Sequence, residues 1–335
     1  SSQQINIRRI TDPRMSEIIV SENITGEAMT RLRETHAVDF EPDLWQNVER
    51  LAEQLKTARA IIVRNQTKVT RELIESSPNL LIIGRAGAGL DNIDTDAASE
   101  AGIVVSYTPS ENSISVAELV LGFMLTAVRR IPSAWLHTRS GGWNRMQFVG
   151  GELFGKTLGI VGLGRIGRLV AERALAFGMT IIAHDEFIDP NSPFVSELGV
   201  RLTSLDDLLT QSDFVSVHVP LTPETRNCFS SDAFGKMKSS AWFMNASRGE
   251  VVDEAALLHA LNEKQISGAA LDVRSQEPPS DNELAKLSNV ILTPHIGAFT
   301  HEAQERVVAA VCSDVTAILA GNSATNAFNF AKPKR

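Results

Sequence analysis

The chain has 335 residues, and at roughly 100–200 residues per domain that length predicts two domains. Hydrophobic residues make up 43% of it and charged residues 21%, enough apolar material for cores that need neither disulfides nor a structural metal. A net charge of −8 argues against a protein held to nucleic acid through phosphate contacts.

In chain order, Ser1–Ile10 is polar, lacks the apolar core of a signal peptide, lacks Met, and reads as a trimmed end. Ile18–Val20, Ala60–Val63, Leu81–Ile83 and Ile103–Val105 are predicted as buried strands, with helices over Leu44–Leu55 and Arg71–Ser76 between them. Short continuous apolar runs alternating with helical patterns predict a parallel sheet covered on both faces. A long helical pattern, Ser113–Ile131, follows. Its apolar part, Ile114–Val128, is interrupted by Ser115 and Glu118 and is too short to cross a bilayer, so a buried helix and no membrane partner are expected. After Gly155 a second series predicts strands at Thr157–Val161, Thr180–Ala183, Phe214–Val219, Ala241–Asn245, Gly268–Leu271 and Val290–Leu292. Helices fall near Ile166–Ala176, Ser204–Leu209, Ser231–Lys236 and Glu254–Glu263. Six strands with intervening helices make one doubly wound sheet. A last helix, His301–Leu319, would return the chain to the first domain. Cys228 and Cys312 have neither a CxxC nor a zinc-ligand spacing; they read as reduced thiols of a cytoplasmic protein, and no metal is expected.

The stretch Leu158–Gly167 reads LGIVGLGRIG, a strand running into G-x-G-x-x-G and then a helix. Gly162 permits the tight turn, Gly164 lets a pyrophosphate approach the backbone, and Gly167 lets the helix pack on the strand. The pyrophosphate would lie on the free N–H groups of the helix N-terminus. The next strand ends at His184-Asp185, and Asp185 stands 18 residues past Gly167, where a carboxylate accepts hydrogen bonds from the adenosine ribose. A carboxylate there repels a 2′-phosphate, so the expected cofactor is NAD rather than NADP. The fold class that follows is α/β with two doubly wound parallel-sheet domains. A Rossmann cofactor domain, residues 110–299, is inserted into a flavodoxin-like substrate-binding domain, residues 1–109 and 300–335.

Three further segments set unusual polar residues at strand ends: Asn245–Gly249 (NASRG), Leu271–Pro278 (LDVRSQEP) and Thr293–Gly297 (TPHIG). In an open α/β sheet ligands bind at the carboxyl ends of the strands, so these segments are expected to converge beside the glycine loop. Singly, a His, an Arg or a Glu at a strand end is more often structural; together on one rim they read as a site.

With Gly84–Asp94 (GRAGAGLDNID), Asn112–Glu118 (NSISVAE) and His218–Leu221 (HVPL), these motifs make the chain, from Ile18 to about Asn322, resemble the D-isomer-specific 2-hydroxyacid dehydrogenase family. Val63–Thr67 (VRNQT), Gly84–Gly87 and Trp143–Phe148 (WNRMQF) bring it nearest to the short phosphoglycerate dehydrogenase-like members. The resemblance implies an NAD-dependent oxidoreductase acting on the CH–OH group of a small 2-hydroxy acid. It makes His295 the acid/base, Glu277 its carboxylate partner and Arg248 the bidentate holder of the substrate carboxylate. Asp272 and the Ala246 backbone would orient the nicotinamide amide. The backbones of Ala86, Gly87 and Ala88 would cradle the carboxylate, with Ala88 also against the cofactor. Arg165 and Ile166 would meet the pyrophosphate, and Val219 would line the adenosine pocket.

Two positions depart from the family pattern. Arg274 stands where an aromatic residue is usual and Asn65 where Ser is usual, and both are expected to bear on substrate choice. The chain ends at Arg335, so the regulatory domain of longer phosphoglycerate dehydrogenases, and serine feedback through it, are not expected. Arg64, Arg85 and Arg145 add to Arg248 in segments expected to face the cleft. One carboxylate needs a single bidentate arginine plus backbone donors, so the extra arginines suggest a second anionic group at C3 of the substrate; ion pairs are the alternative reading. Phosphoglycerate, sulfolactate, glycerate with hydroxypyruvate and lactate-like acids all stay open. So does an NAD-sensing corepressor-type binding protein, whereas Glu277 argues against the formate dehydrogenases, which resemble Gln there. The segment Ser113–Phe148, with Trp135, Trp143, Met146 and Phe148, holds more apolar material than a small domain hides and predicts a homodimer.

Overall fold

The computed structural model describes residues 16–280 and 282–335, so the Ser1–Ile10 segment lies outside the described residues. The chain divides into two units. One takes the described residues up to Asn112 together with His301–Arg335, and the other is Ser113–Thr300.

The first unit runs β1 (Ile18–Val20), α1 (Glu27–Thr35), β2 (Val38–Phe40), α2 (Val48–Leu55), β3 (Ala60–Val63), α3 (Arg71–Glu75), β4 (Ile82–Arg85), α4 (Thr95–Glu100) and β5 (Val104–Ser106). The pairings among these five strands are parallel, in the order β2-β1-β3-β4-β5, the flavodoxin-like arrangement. The apolar runs at β1 and β3 are buried at every position because helices cover both faces. Strand β2 escapes an apolar-run search: Val38-Asp39-Phe40 is a half-buried edge strand with a carboxylate in its middle. The helical pattern over Leu44–Leu55 is broken at Asn47, whose side chain accepts the Arg50 amide and starts α2 at Val48; Leu44–Gln46 is a separate 3-10 turn.

The second unit begins with α5 (Ser113–Arg129) and α6 (Ile131–Arg139). It continues through β6 (Thr157–Val161), α7 (Arg165–Ala176), β7 (Thr180–His184), α8 (Pro193–Leu198), β8 (Arg201–Leu202), α9 (Leu205–Gln211) and β9 (Phe214–Val217). Then come α10 (Ser231–Lys236), β10 (Trp242–Asn245), α11 (Glu254–Asn262), β11 (Gly268–Leu271) and β12 (Val290–Leu292). The sheet is parallel throughout, in the order β12-β11-β10-β9-β6-β7-β8, the Rossmann order extended by one strand. It has seven strands where the apolar runs predict six. The extra one, β8, is a two-residue edge strand with Arg201 exposed. The long helix predicted to Ile131 stops at Arg129. Arg130 takes a left-handed φ of 52°, and α6 starts afresh with Pro132 in its first turn and no buried residue.

Each sheet has its own core. In the second unit α5 lays Val120, Phe123 and Met124 against Val170, Ala171 and Ala174 of α7 over the β6 side of the sheet. Phe229, Phe234 and Phe243 pack together in a second cluster with ring centroids 4.9–6.3 Å apart. The final helix, α12 (His301–Leu319), belongs to the first unit and buries Val307, Val308, Val311 and Val315 against α1 and β4. Burying a side chain of this size contributes roughly 1.5–3 kcal/mol. Strand order reverses between β1 and β3 in one sheet and between β6 and β9 in the other, the places where open sheets form ligand crevices.

Candidate active site

The glycine loop follows β6. Gly162 has φ +92°, and a Cβ on it would stand 2.8 Å from the His218 carbonyl group and 3.0 Å from Val219 Cγ1. A Cβ on Gly167 would stand 2.2 Å from the Gly162 carbonyl oxygen, so α7 can pack this closely on β6 only with glycine there. A Cβ on Gly164 would meet nothing, which leaves the loop open on the side where a ligand would lie. Gly164 caps α7 without a side-chain bond, so the amides of its first turn, from Arg165 and the half-buried Ile166 onward, are available to an anion. Asp185, just past β7, accepts the Leu163 amide at 2.8 Å and the Phe187 amide at 2.9 Å. Its carboxylate thus ties the glycine loop to the neighbouring strand end. These residues frame a dinucleotide cradle that has no room for a side chain at Gly162 or Gly167 and is open at Gly164.

The opposite rim of the same sheet is assembled from β10, β11 and β12. Asn245 ends β10 and folds the turn after it: its side chain accepts the Ser247 amide and hydroxyl at 3.0 and 2.9 Å and donates to the Arg248 carbonyl at 2.8 Å. That turn carries the half-buried Ala246 and presents Arg248, whose Nη1 donates to the Ser247 carbonyl at 2.8 Å. Asp272, just past β11, is buried. Its carboxylate accepts the Thr293 hydroxyl at 2.5 Å and the Ile296 and Gly297 amides at 2.8 Å each. Its backbone carbonyl takes the His295 amide at 2.8 Å, and Ser115 of α5 donates to the Gly297 carbonyl at 2.6 Å. These bonds hold His295 at φ 54°, a conformation that non-glycine residues adopt rarely and keep only when their surroundings impose it.

His295 Nδ1 and Glu277 Oε2 are 2.6 Å apart. The Glu277 hydrogen bond raises the His295 pKa above its usual value. Partial burial opposes this, the Glu277 and Asp272 charges reinforce it, and the Arg248 charge opposes it. Burial pushes Glu277 up. Hydrogen bonds from His295 and from the Arg274 amide, with the His295 and Arg248 charges, outweigh it and hold this carboxyl below the ordinary range. With Nδ1 turned to Glu277, Nε2 is the nitrogen left to exchange a proton with a ligand.

The expected residues therefore fall into three groups. Gly162, Gly164, Arg165, Ile166, Gly167, Asp185 and Val219 surround the glycine loop, and Ala246, Arg248, Asp272, Glu277 and His295 form the second rim of the same unit. Arg64, Arg85, Ala86, Gly87 and Ala88 belong to the five-stranded unit. There Arg64 follows β3, and burial lowers its pKa against the charge of Glu22. Arg85 ends β4, with Nη1 3.4 Å from the Ala86 carbonyl and packed over Gly87; Ala86 is buried and Ala88 half-buried. Arg145 is exposed in a short 3-10 turn, Arg145–Phe148, of the second unit, and Asn65 is also exposed.

Arg274 lies just past β11. Its side chain, 10% exposed, is turned onto Glu254 at the start of α11. Sequence reasoning also missed Glu22, a buried carboxylate that accepts the amides of Arg64, Gln66 and Thr67 at 2.8, 3.1 and 3.0 Å. A Glu two residues past an apolar strand run was the only signal, because its partners lie more than forty residues on. No three His, Cys, Asp or Glu side chains gather as a metal set among the described residues.

Residues 121–297 match the family model described as D-isomer specific 2-hydroxyacid dehydrogenase, NAD binding domain. Over 316 residues the chain is 45% identical to D-3-phosphoglycerate dehydrogenase from Methanocaldococcus jannaschii, a match covering 94% of this chain and 60% of that protein. It thus spans about 60% of the length of such curated relatives. Among solved structures, a glyoxylate reductase from Paecilomyes thermophila is similar at a TM-score of 0.83 and 32% identity, covering 94% of this chain and 98% of that one. A D-lactate dehydrogenase from Aquifex aeolicus, complexed with NAD and lactic acid, is similar at a TM-score of 0.83 and 30% identity, covering 93% and 98%.

Proposed function

Because the chain belongs to the D-isomer-specific 2-hydroxyacid dehydrogenase family, we propose that it transfers a hydride between NAD(H) and C2 of a small 2-hydroxy or 2-keto acid. The observation that carries this reading is the 2.6 Å contact between His295 and Glu277, on the rim that also presents Arg248 and beside a glycine cradle. NAD, when bound, accepts the hydride in oxidation and NADH supplies it in reduction. Gly162, Gly164 and Gly167, with the amides of Arg165 and Ile166, would hold its pyrophosphate. Asp185 would take the adenosine ribose and exclude a 2′-phosphate, and Val219 would line the adenosine pocket. Three of the roughly four acceptor positions of the Asp272 carboxylate are used within the chain, leaving one for the nicotinamide amide beside the Ala246 backbone.

In reduction, Nε2–H of protonated His295 donates its proton to the carbonyl oxygen as that oxygen gains charge. In oxidation, neutral Nε2 takes the hydroxyl proton. Glu277 holds the ring through Nδ1 and stabilises its cationic form. Arg248 binds the carboxylate bidentately and polarises the carbonyl at C2.

The preferred substrate has an anionic tail, as in 3-phosphoglycerate. Arg64 and Arg85 are the groups to meet that tail, while the Ala86–Ala88 backbone would cradle the carboxylate. The 45%-identical relative's name supports that choice. Sulfolactate, glycerate/hydroxypyruvate and lactate are the competing substrates. We also propose a cytoplasmic homodimer paired through α6 and the segment after it. Ile131, Trp135, Leu136, Trp143, Met146 and Val149 are each at least half exposed there, in a single stretch of chain. No helix among the described residues is long and apolar enough to cross a membrane.

A panel of 2-hydroxy acids with NAD, scored by kcat/KM, tests the reading. Phosphoglycerate should exceed lactate by about tenfold or more, one charge-assisted contact being worth roughly 1.5–3 kcal/mol. A preference for an uncharged tail removes the anionic-tail assignment, and no turnover of any 2-keto acid with NADH removes the enzymatic one. Dimer mass by light scattering at micromolar concentration checks the assembly.

A further inference from the structure

We propose that Arg274 and Glu254 form a positioning pair that fixes where the Glu277 carboxylate stands against His295. The inference rests on the preceding reading of Glu277 and His295 as the proton-handling pair.

The connection can be followed bond by bond. Asp253 caps α11 by accepting the Ala255 and Ala256 amides, which sets Glu254 on the helix's first turn. The Glu254 carboxylate meets the Arg274 guanidinium at Nε, 3.1 Å from both oxygens, and at Nη2, 2.7 Å from Oε2. The same carboxylate accepts the Ser275 amide at 2.6 Å. One residue earlier, the Arg274 amide donates to Glu277 Oε1 at 3.0 Å, while Glu277 Oε2 holds the imidazole. Gly249 presses on the same segment from the other side: a Cβ there would stand 1.9 Å from the Arg274 carbonyl carbon. The 274–275 backbone is thus clamped between a glycine and a carboxylate, and its next bond orients Glu277.

The pair is well shielded, with side chains 10% and 20% exposed. A short, multiply bonded arginine–carboxylate contact in such a place fixes geometry in a way a surface pair does not. The contacts give Arg274 a task other than reaching substrate, because its side chain is directed at α11.

Electrostatics supply a signed test. The groups that bear on His295 are Glu277 and Asp272, which favour its cation, and Arg248, which opposes it. If Arg274 acted on His295 through space, removing its positive charge would raise the imidazole pKa. If it acts by holding Glu277 in place, removing it loosens the 2.6 Å contact and lowers the pKa.

The experiment is an NMR titration of the His295 ring in the full chain without cofactor, for the parent, Arg274→Met, the double variant Glu254→Gln/Arg274→Met, and Glu277→Gln. Thermal melts and the pH dependence of kcat and KM accompany it. The double variant leaves no buried unpaired charge, so it stays measurable if Arg274→Met folds poorly. The expected result is a His295 midpoint lowered by about 0.3–1 unit in both Arg274 variants, further lowered in Glu277→Gln, with kcat following the midpoint and KM nearly unchanged. A midpoint shifted in Glu277→Gln but unchanged or raised in both Arg274 variants overturns the positioning pair and leaves the catalytic reading intact. A KM change at a constant midpoint overturns it in favour of substrate contact. No shift even in Glu277→Gln removes the premise, and the proposal with it.

Discussion

Glu22 in the five-stranded unit and Asp272 in the seven-stranded one solve the same problem for different ends. Each stands within two residues of a strand end and is buried. Each gathers donors from a loop distant in sequence, three amides for Glu22 and two amides with a hydroxyl for Asp272. Each loop carries one functional candidate, Arg64 or His295. Glu22 fixes a permanently charged group at a sheet's switch point, between β1 and β3, and Asn92 braces the same loop by donating to the Arg64 and Thr67 carbonyls at 3.1 and 2.7 Å. Asp272 fixes a group that changes charge, forces it into a left-handed backbone, and leaves Glu277 to tune it. On the proposed roles, a binding loop at Arg64 would need position alone, and a proton-transfer loop at His295 would need position together with a partner whose own place is controlled.

The comparison breaks most visibly at Asp272. Asp272→Ala leaves two amides and a hydroxyl without their acceptor and releases the strained turn. Chemical denaturation should show a loss of about 2–4 kcal/mol, with activity falling at least 100-fold. A variant of parent stability would show that the loop holds itself. Glu22→Gln keeps one acceptor oxygen and should cost less, about 1–2 kcal/mol. Its kinetic effect should fall on KM for the charged-tail acid, about tenfold, with kcat within a factor of two or three. Equal effects of both variants on kcat would erase the distinction between a binding loop and a chemical one.

Glu277→Gln tests the tuning with no large change in shape. The His295 pKa is raised by its neighbour; on the proposed mechanism reduction needs the protonated ring, so reduction should be lost as pH rises through that pKa. Without the carboxylate the loss should occur at lower pH, by about one unit, and oxidation should become effective at correspondingly lower pH. Profiles of kcat/KM in both directions check it, and an unchanged profile removes Glu277 from the mechanism. The smallest effect belongs to His218, which lies beside the glycine loop without a carboxylate. Burial drives its pKa down to about 4. The native state therefore excludes a proton that the unfolded chain takes up near 6.5, so stability is full above that pH and declines as pH falls toward 4. His218→Asn should reduce the stability lost between pH 7 and pH 5.5 by about 1 kcal/mol, read from melts at the two pH values.

What the sequence disclosed follows from the range of the interactions involved. Central strands such as Ala60–Val63 and Gly268–Leu271 are buried on both faces, and such burial demands an uninterrupted apolar or small run. The glycine loop is local, so spacing alone exposed it. Two of the four edge strands escaped because a charged residue breaks their apolar run, Asp39 in β2 and Arg201 in β8, whereas the edge strands β5 and β12 keep such a run and were legible. The rim residues were legible as polar groups at strand ends. What holds them was not, because Asp272 reaches 21–25 residues ahead and Glu254 reaches 20, and no local pattern encodes those separations. The Asn47 break and the left-handed Arg130 were hidden for the opposite reason, since a single side chain or dihedral ended a pattern that periodicity alone would extend.

The contact between Gly249 and the 274–275 backbone, with the ion pair beside it, also limits how this protein can change by single substitutions. Replacing Arg274 first, by the aromatic residue usual there, would strand a shielded carboxylate on α11; neutralising Glu254 first would leave a shielded guanidinium. Either intermediate is expected to be less fit than both end points, so the two sites are epistatic, and the viable routes between them change both together or first add a compensating partner. Transplanting a relative's 274–278 loop to alter specificity would meet the same barrier unless the first turn of α11 and the Asn245–Gly249 turn travel with it. For a library design, those three stretches are one heritable unit dispersed along the chain.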